Sequence, residues 1–243
     1  MTGAGKRIGK ALALAAGRAG YDVAVHYRSS GAEAEAVAAE IRAMGRTAAA
    51  VYADLSDAPA CTGLIGRAAL EVGPLTLLVN SASLLKDDRA QSVTGEGFDA
   101  LIAANLRAPV LMARAFAASL PADRTGLIVN MIDQRVWRLT PQLFSYPLSK
   151  AALWTATQTL AQALAPRIRV NGIGPGPVLG SVLQAPGEFE AEAAAIPLAR
   201  AIDPEEIAAA LTYLIDAPSV TGQMIAVDGG QHLAWLTPDI IQP

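Results

Sequence analysis

The sequence predicts an open parallel α/β sheet built by a single domain. Two observations carry the prediction. Short apolar runs bounded by turn residues alternate with alanine-rich helical patterns over the whole chain, the order that generates βα units around a parallel sheet. Near the middle, the apolar run Leu127–Met131 precedes a helix opening at Tyr146-Pro147-Leu148-Ser149-Lys150. A second run, Ile168–Asn171, follows that helix and leads into Gly174-Pro175-Gly176-Pro177. No Pro/Ser-rich linker, composition break or internal repeat interrupts residues 1–243.

At the start, Met1-Thr2-Gly3-Ala4-Gly5-Lys6-Arg7-Ile8-Gly9 reads as a glycine-rich turn feeding a helix over Lys10–Arg18. Glycines let a phosphate approach the backbone, and a helix N-terminus offers it free N–H groups and partial positive charge. A flexible tail would read the same way, because no strand precedes the turn. Tyr21–Tyr27 is a strand that ends in Tyr27-Arg28-Ser29-Ser30. A dinucleotide without a 2′-phosphate favours an acidic residue at that point. Arg28 and the two serine hydroxyls suit a 2′-phosphate instead, which points to NADPH over NADH.

Gly31–Met44 is a helix stopped by Gly45, and Thr47–Tyr52 is the next strand, followed by Ala53-Asp54-Leu55. Asp54 suits an adenine amino group, or with Ser56 and Asp57 it caps the helix expected over Ala58–Val72. Leu75–Asn80 is a buried-strand run that empties into Ser81-Ala82-Ser83-Leu84-Leu85, small residues where a backbone can pass close to a ligand. A long helix over Gly95–Leu120 carries Asn105, a lone amide that serves as a core hydrogen-bonder or holds a water beside Lys150. The segment from Pro177 to Arg200 is long for a connector and reads as a substrate loop. Pro204 and Glu205 open another helix, and Met224–Val227 is the last strand before Asp228-Gly229-Gly230. The apolar Trp235 and Leu236 suit the core, an oligomer interface or the site.

Composition narrows the class. The formal net charge is −3 with the charges dispersed, which gives no basic stripe for nucleic acid and no acidic tail. The single cysteine, Cys61, excludes an internal disulfide and suits a reducing compartment, so a cytoplasmic protein is expected. No run approaches the roughly 18 apolar residues of a membrane span, and the N-terminus lacks a signal-peptide core. His26 and His232 lie far apart, so no metal site is expected.

The chemistry is expected at Tyr146 and Lys150. Side chains four apart on a helix share a face, and a neighbouring cation lowers a phenol's pKa toward neutrality, making the pair a proton donor or acceptor. Ser145 is the expected N-cap, and Pro147 is tolerated in the first turn. Chance alone gives one Tyr-x-x-x-Lys roughly 0.08 of the time at this composition, so the setting matters more than the motif.

Taken together, Thr2-Gly3…Gly9, Ala53-Asp54-Leu55, Asn80-Ser81-Ala82, Asn105, Tyr146…Lys150, Pro175-Gly176 and Asp228-Gly229-Gly230 resemble the short-chain dehydrogenase/reductase family in order and over nearly the whole chain. The resemblance implies a single-domain Rossmann-type doubly wound sheet, NADPH/NADP as cofactor, a small-molecule substrate and a homotetramer or homodimer. It implies Tyr146 as proton donor, Lys150 on the nicotinamide ribose and Asn105 on a relay water. The implied cofactor residues are Gly3, Lys6, Arg7, Ile8, Gly9, Tyr27, Arg28, Ser29, Asp54, Leu55, Asn80, Ser81, Ala82, Tyr146, Lys150, Pro175, Gly176 and Val178. The implied substrate residues are Ser83, Leu85, Asp133, Trp137, Tyr146 and Pro177.

Two departures refine the resemblance. Arg7 stands where the generic turn has glycine. Asp133 stands where the family's catalytic serine is expected, 13 residues before Tyr146. Both features, with His26-Tyr27-Arg28, resemble the pteridine reductase branch, including dihydromonapterin and dihydrofolate-type reductases. A serine donates a hydrogen bond to a carbonyl oxygen, whereas a carboxylate cannot donate unless protonated. It can orient an amino-pyrimidine ring and assist proton delivery to a ring nitrogen. That branch tends to place a stacking aromatic where Leu85 falls; Trp137 or Phe144 could supply one instead. The alternatives are an NADPH-dependent reductase of a ketone or ketoacyl group, and a non-catalytic NADP-binding sensor.

The family's first strand would precede Thr2, at the centre of a sheet ordered 3-2-1-4-5-6-7, and only Met1 is available for it. The expected consequence is a gap between the second and fourth strands of that order, with two exposed edges. On that ground the natural chain is expected to start upstream of Met1.

Overall fold

The computed structural model describes residues 1–234. Trp235 and Leu236 fall outside them. Six parallel strands are arranged as two sheets, β1(Val23–Tyr27)–β2(Ala48–Tyr52) and β3(Leu77–Asn80)–β4(Gly126–Met131)–β5(Ile168–Pro175)–β6(Met224–Val227). Helices cover both faces. On one face lie α1(Arg7–Arg18), α2(Gly31–Ala43) and α8(Pro204–Asp216); on the other lie α3(Ala58–Val72), α5(Ala108–Ser119) and α6(Ser145–Leu164). This is the predicted doubly wound, Rossmann-type fold. The central strand β4 is buried at all six positions, as a strand covered on both faces must be.

The expected gap is present. Among the described residues, the backbone hydrogen bonds that link the two sheets come from residues 1–4. The Thr2 N–H donates to Val79 O at 2.9 Å, the His26 N–H to Met1 O at 2.9 Å, and the Ala4 N–H to His26 O at 3.1 Å. The remaining edges of β1 and β3 face a cavity of about 590 Å³, lined by Val23, Ala24, Leu77 and Leu78 and by Leu64, Ile65 and Met112 of the overlying helices. The Met1 amino group is buried there, donates to Ala24 O at 2.8 Å, and has its pKa lowered by desolvation to about 5. This cavity lies in the gap between the two sheets and extends to the amino ends of the strands, where Asp22, Thr76 and Asp123 line it.

Several element ends differ from expectation because termini are set by local hydrogen bonds. α1 begins at Arg7, and β3 is confined to Leu77–Asn80. The long helix ends at Ser119 and consists of α4(Gly95–Ile102), a π-helical segment over Ala103–Arg107 and α5. As one 25-residue helix, Gly95–Ser119 contains an 18-residue window of mean hydropathy 1.3 and is by length and composition long and apolar enough to cross a membrane. Its buried Met112, Ala113 and Phe116 instead belong to the core, which accounts for its composition. The segment 177–200 is not a plain loop, since it contains α7(Glu188–Ala195). Asp57, not Asp54, caps α3 through the Ala60 N–H.

Candidate active site

The carboxyl ends of the strands open on a cleft of about 660 Å³, the place where open α/β sheets bind ligands. The glycine turn forms one end. Gly3 (φ +60) accepts a left-handed conformation, and a Cβ at Gly9 would stand 2.1 Å from Gly3 O, so the turn closes only around a glycine there. Buried Thr2 takes the Ser81 and Ala82 N–H groups on its hydroxyl, both at 3.0 Å. That couples the turn to the loop after β3.

His26 holds the turn from behind. Its Nδ1 accepts the Gly3 N–H at 3.1 Å, while Nε2 lies 3.1 Å from Ala53 O, an arrangement that fits the neutral ring carrying its proton on Nε2. Burial lowers its pKa from 6.5 to about 4. The unfolded chain therefore binds the extra proton between those values, so stability is full above pH 6.5 and falls as the pH drops toward 4. The expected loss is on the order of 3 kcal/mol. Urea titrations at pH 7 and pH 4.5 check it, and H26N should flatten this part of the profile.

The cleft is lined by Gly3, Lys6, Arg7, Ile8, Gly9, Tyr27, Arg28, Ser29, Asp54, Leu55, Ser81, Ala82, Tyr146, Lys150, Pro175 and Gly176, as expected, and by Ser83 and Asp133. Arg28 forms no ion pair among the described residues, leaving its charge available to an incoming anion. Five expected cofactor or substrate positions lie outside this lining: Asn80, Val178, Leu85, Trp137 and Pro177. Asn80 is buried and donates to Asn130 Oδ1 at 2.8 Å, tying β3 to β4. Val178 packs in the core beside Ile196 and Ile202. Leu84, not Leu85, faces the cleft, because the loop's register is set by Asn105. Trp137 is 46 % exposed and stacks edge-on against His232, which places it outside the cleft walls. Pro177 also lies outside the lining; its carbonyl accepts the Ile202 N–H at 2.8 Å.

Asn105 lies in the π-helical segment, a geometry that displaces a side chain from its ordinary helical direction. Its Oδ1 takes the Leu84 N–H at 2.7 Å and the Ser83 hydroxyl at 3.3 Å. Its Nδ2 donates to Leu84 O at 2.9 Å and Ser149 Oγ at 3.0 Å. The amide is thus spent on tying the loop to α6 and does not itself reach Lys150. The Lys150 ammonium donates to Met131 O at 2.8 Å.

Ser145 is the first residue of α6 and not its N-cap. Its N–H donates to Asp88 Oδ1 at 3.0 Å and its hydroxyl to Asp88 Oδ2. The carboxylate that holds this helix start comes from a distant loop, which no local pattern announces. His26, Thr2, Asn130 and Asp88 all build the site through partners far away in sequence, so no local pattern announces those contacts.

Tyr146, Lys150 and Asp133 converge. The Tyr146 hydroxyl donates to Asp133 Oδ2 at 3.0 Å. Asp133 Oδ1 takes the Arg135 N–H at 2.8 Å. The Lys150 nitrogen sits 5.6 Å from the Tyr146 ring centre. The expected lowering of the tyrosine's pKa is reversed: desolvation first, then the Asp133 charge and hydrogen bond, push the phenol well above its ordinary value. Burial lowers Lys150 to about 8, which leaves it mostly cationic at neutral pH. In this arrangement the phenol keeps its proton at neutral pH.

The family profile described as Enoyl-(Acyl carrier protein) reductase matches residues 3–232, and the chain belongs to the short-chain dehydrogenase/reductase family. It is an oxidoreductase of that family. The fold is similar to the crystal structure of FolM Alternative dihydrofolate reductase 1 from Brucella canis complexed with NADP: 49 % identity, TM-score 0.94, covering 99 % of this chain and 95 % of that one. A short chain dehydrogenase from Burkholderia cenocepacia in complex with NADP is 32 % identical with a TM-score of 0.89, covering 95 % of each chain. Among curated relatives, 3-oxoacyl-[acyl-carrier-protein] reductase of Synechocystis is 34 % identical over 236 residues, 95 % of this chain and 94 % of that protein.

Proposed function

We propose that the protein is an NADPH-dependent reductase of a pterin- or dihydrofolate-like heterocycle. The observation that carries this reading is the Asp133 carboxylate accepting the Tyr146 hydroxyl at 3.0 Å, in a cleft built for a dinucleotide. The 49 % identity to the Brucella dihydrofolate reductase complexed with NADP supports it. Gly3, Gly9 and the start of α1 fit a pyrophosphate, and Arg28 with Ser29 fits a 2′-phosphate. Lys150 fits the nicotinamide ribose. NADPH, when bound, supplies the hydride.

The chain's own groups manage the proton and the substrate's orientation. Asp133 presents acceptor oxygens to N–H groups, which an amino-pyrimidine edge provides and a ketone lacks. Tyr146 holds its proton at neutral pH and releases it toward a ring nitrogen that gains basicity as hydride arrives. The cation of Lys150 stabilises the phenolate left behind. A ketoacyl reductase is the second reading, supported by the 3-oxoacyl relatives. Against it stands the carboxylate, which repels a carbonyl oxygen where a donor is needed.

Recognition is testable apart from turnover. Pterin fluorescence titrated into the NADP-loaded protein should be quenched saturably, and D133S should abolish the quench. Saturable binding that survives in D133S would contradict the role given to Asp133. For the cofactor, R28A should weaken NADPH binding about tenfold or more and leave NADH nearly unaffected, since only the 2′-phosphate loses its charge partner. Equilibrium titration of both cofactors reads this. We also infer a cytoplasmic homodimer or homotetramer, as the family resemblance suggests; a monomer in sedimentation velocity would contradict that assembly.

A further inference from the structure

The segment between β5 and α8 leaves the cleft after Gly176, and two arginines tie it back to the site: Arg7, which lines the cleft, and Arg135, beside the cleft-lining Asp133. The Arg7 guanidinium donates to Gly180 O at 3.0 Å and to Leu179 O at 2.9 Å, spanning more than 170 residues of sequence. Arg7 opens α1 with φ +53, a left-handed conformation that costs a non-glycine residue backbone energy. Glycine would be free of that cost, so whatever arginine contributes here comes from its side chain.

The second contact lies at the far end of the same segment. Arg135 is half-buried; its Nη1 is 3.5 Å from Asp133 Oδ2 and its Nη2 is 3.6 Å from Glu192 Oε1 on α7. Gln184 and Gln231 each donate to Glu192 at 2.9 Å and fix that carboxylate in place. Between the two anchors, Val182 is fully exposed and Leu183 is 46 % exposed, so little apolar burial holds this stretch down. Buried Val178 before it and buried Ala193 and Ile196 after it fix its ends in the core, and the stretch between them is held by the polar ties.

We propose that Arg7 and Arg135 are positioning residues that latch residues 179–192 to the cleft, one from the phosphate turn and the other from the catalytic carboxylate. The arrangement joins each half of the site to that segment. A ligand anion at the turn draws on the same guanidinium that holds Leu179 and Gly180. A substrate on Asp133 draws on the carboxylate that Arg135 shares with Glu192. Segment and ligand are thereby coupled through two side chains. The proposal rests on the cleft being the cofactor and substrate site.

Hydrogen–deuterium exchange on the full chain, with and without NADPH, tests it. R7G keeps the turn, since glycine adopts φ +53 without strain, and R135Q is close in size. Without cofactor, R7G should speed exchange in residues 179–187 roughly five- to tenfold, the scale of losing one solvent-exposed hydrogen bond of about 1 kcal/mol. R135Q should do the same over 188–195. The amides of β4 and β5 should be unchanged in both variants, which separates unlatching from general destabilisation. In turnover assays KM should rise severalfold in R135Q, with kcat changed less. Unchanged exchange in its own segment for either variant would overturn the proposal. Because exchange is read without substrate, a failure to reduce any pterin would sink the functional reading and leave this result standing.

Discussion

Replacing Tyr146 by phenylalanine should lower kcat about 10²- to 10⁴-fold, the range of a lost general acid, while NADPH affinity changes little. The phenol lines the cleft, donates to Asp133 Oδ2 at 3.0 Å and has the Lys150 nitrogen 5.6 Å from its ring centre. Desolvation and the Asp133 charge keep it protonated at neutral pH. Removing the hydroxyl also frees Asp133 Oδ2 from one donor, so substrate binding should hold or tighten as catalysis collapses. Single-turnover NADPH oxidation with cofactor affinity measured in parallel gives both numbers. A Y146F enzyme within tenfold of wild type would mean that protons arrive by another route.

Replacing Asp133 by serine should reduce turnover of a dihydropterin by about 10² or more, on the scale that sites lose when a buried polar substrate edge goes unpaired. Serine offers one donor and a shorter reach where the carboxylate offers two acceptors. It also leaves Arg135 facing Glu192 alone, where it now shares Asp133 at 3.5 Å. The same variant should retain or gain activity on simple ketones, because a hydroxyl can donate to a carbonyl oxygen. The opposite pattern, ketone activity lost and pterin activity retained, would make the carboxylate a structural group. Comparing kcat/KM on both substrate types reads the difference as a change in transition-state stabilisation.

Much of the molecule was legible in the sequence because its signals are local. The alternation of apolar runs and helices placed every strand, since a buried parallel strand is an apolar run whatever lies beside it. Tyr146, Lys150 and Asp133 were legible from spacing and from their resemblance to a family. The less legible features depend on contacts across the chain. Nothing near Ser145 in sequence announces Asp88, nothing near Gly3 announces His26, and Leu84 replaces Leu85 in the cleft because Asn105 sets that loop's register. The direction of the Tyr146 shift was misread for a related reason. The motif displays the cation one turn away and conceals the burial and the carboxylate, which act more strongly.

The gap between β1 and β3 was also foreseen from the pattern. The structure adds that Thr2 and Met1 keep the two sheets in register through a few hydrogen bonds, so the cleft is formed at the strand ends although the sheet beneath it is divided.

In the proposed reaction NADPH reduces a pterin-like ring that Asp133 orients and Tyr146 protonates. The most direct measurement is NADPH oxidation by the purified protein against dihydrobiopterin, dihydromonapterin, dihydrofolate and a few simple ketones at pH 7. Turnover of at least one dihydropterin or dihydrofolate is expected, with kcat/KM well above that for any ketone. Turnover confined to ketones would contradict it and identify a carbonyl reductase that carries an aspartate in place of serine.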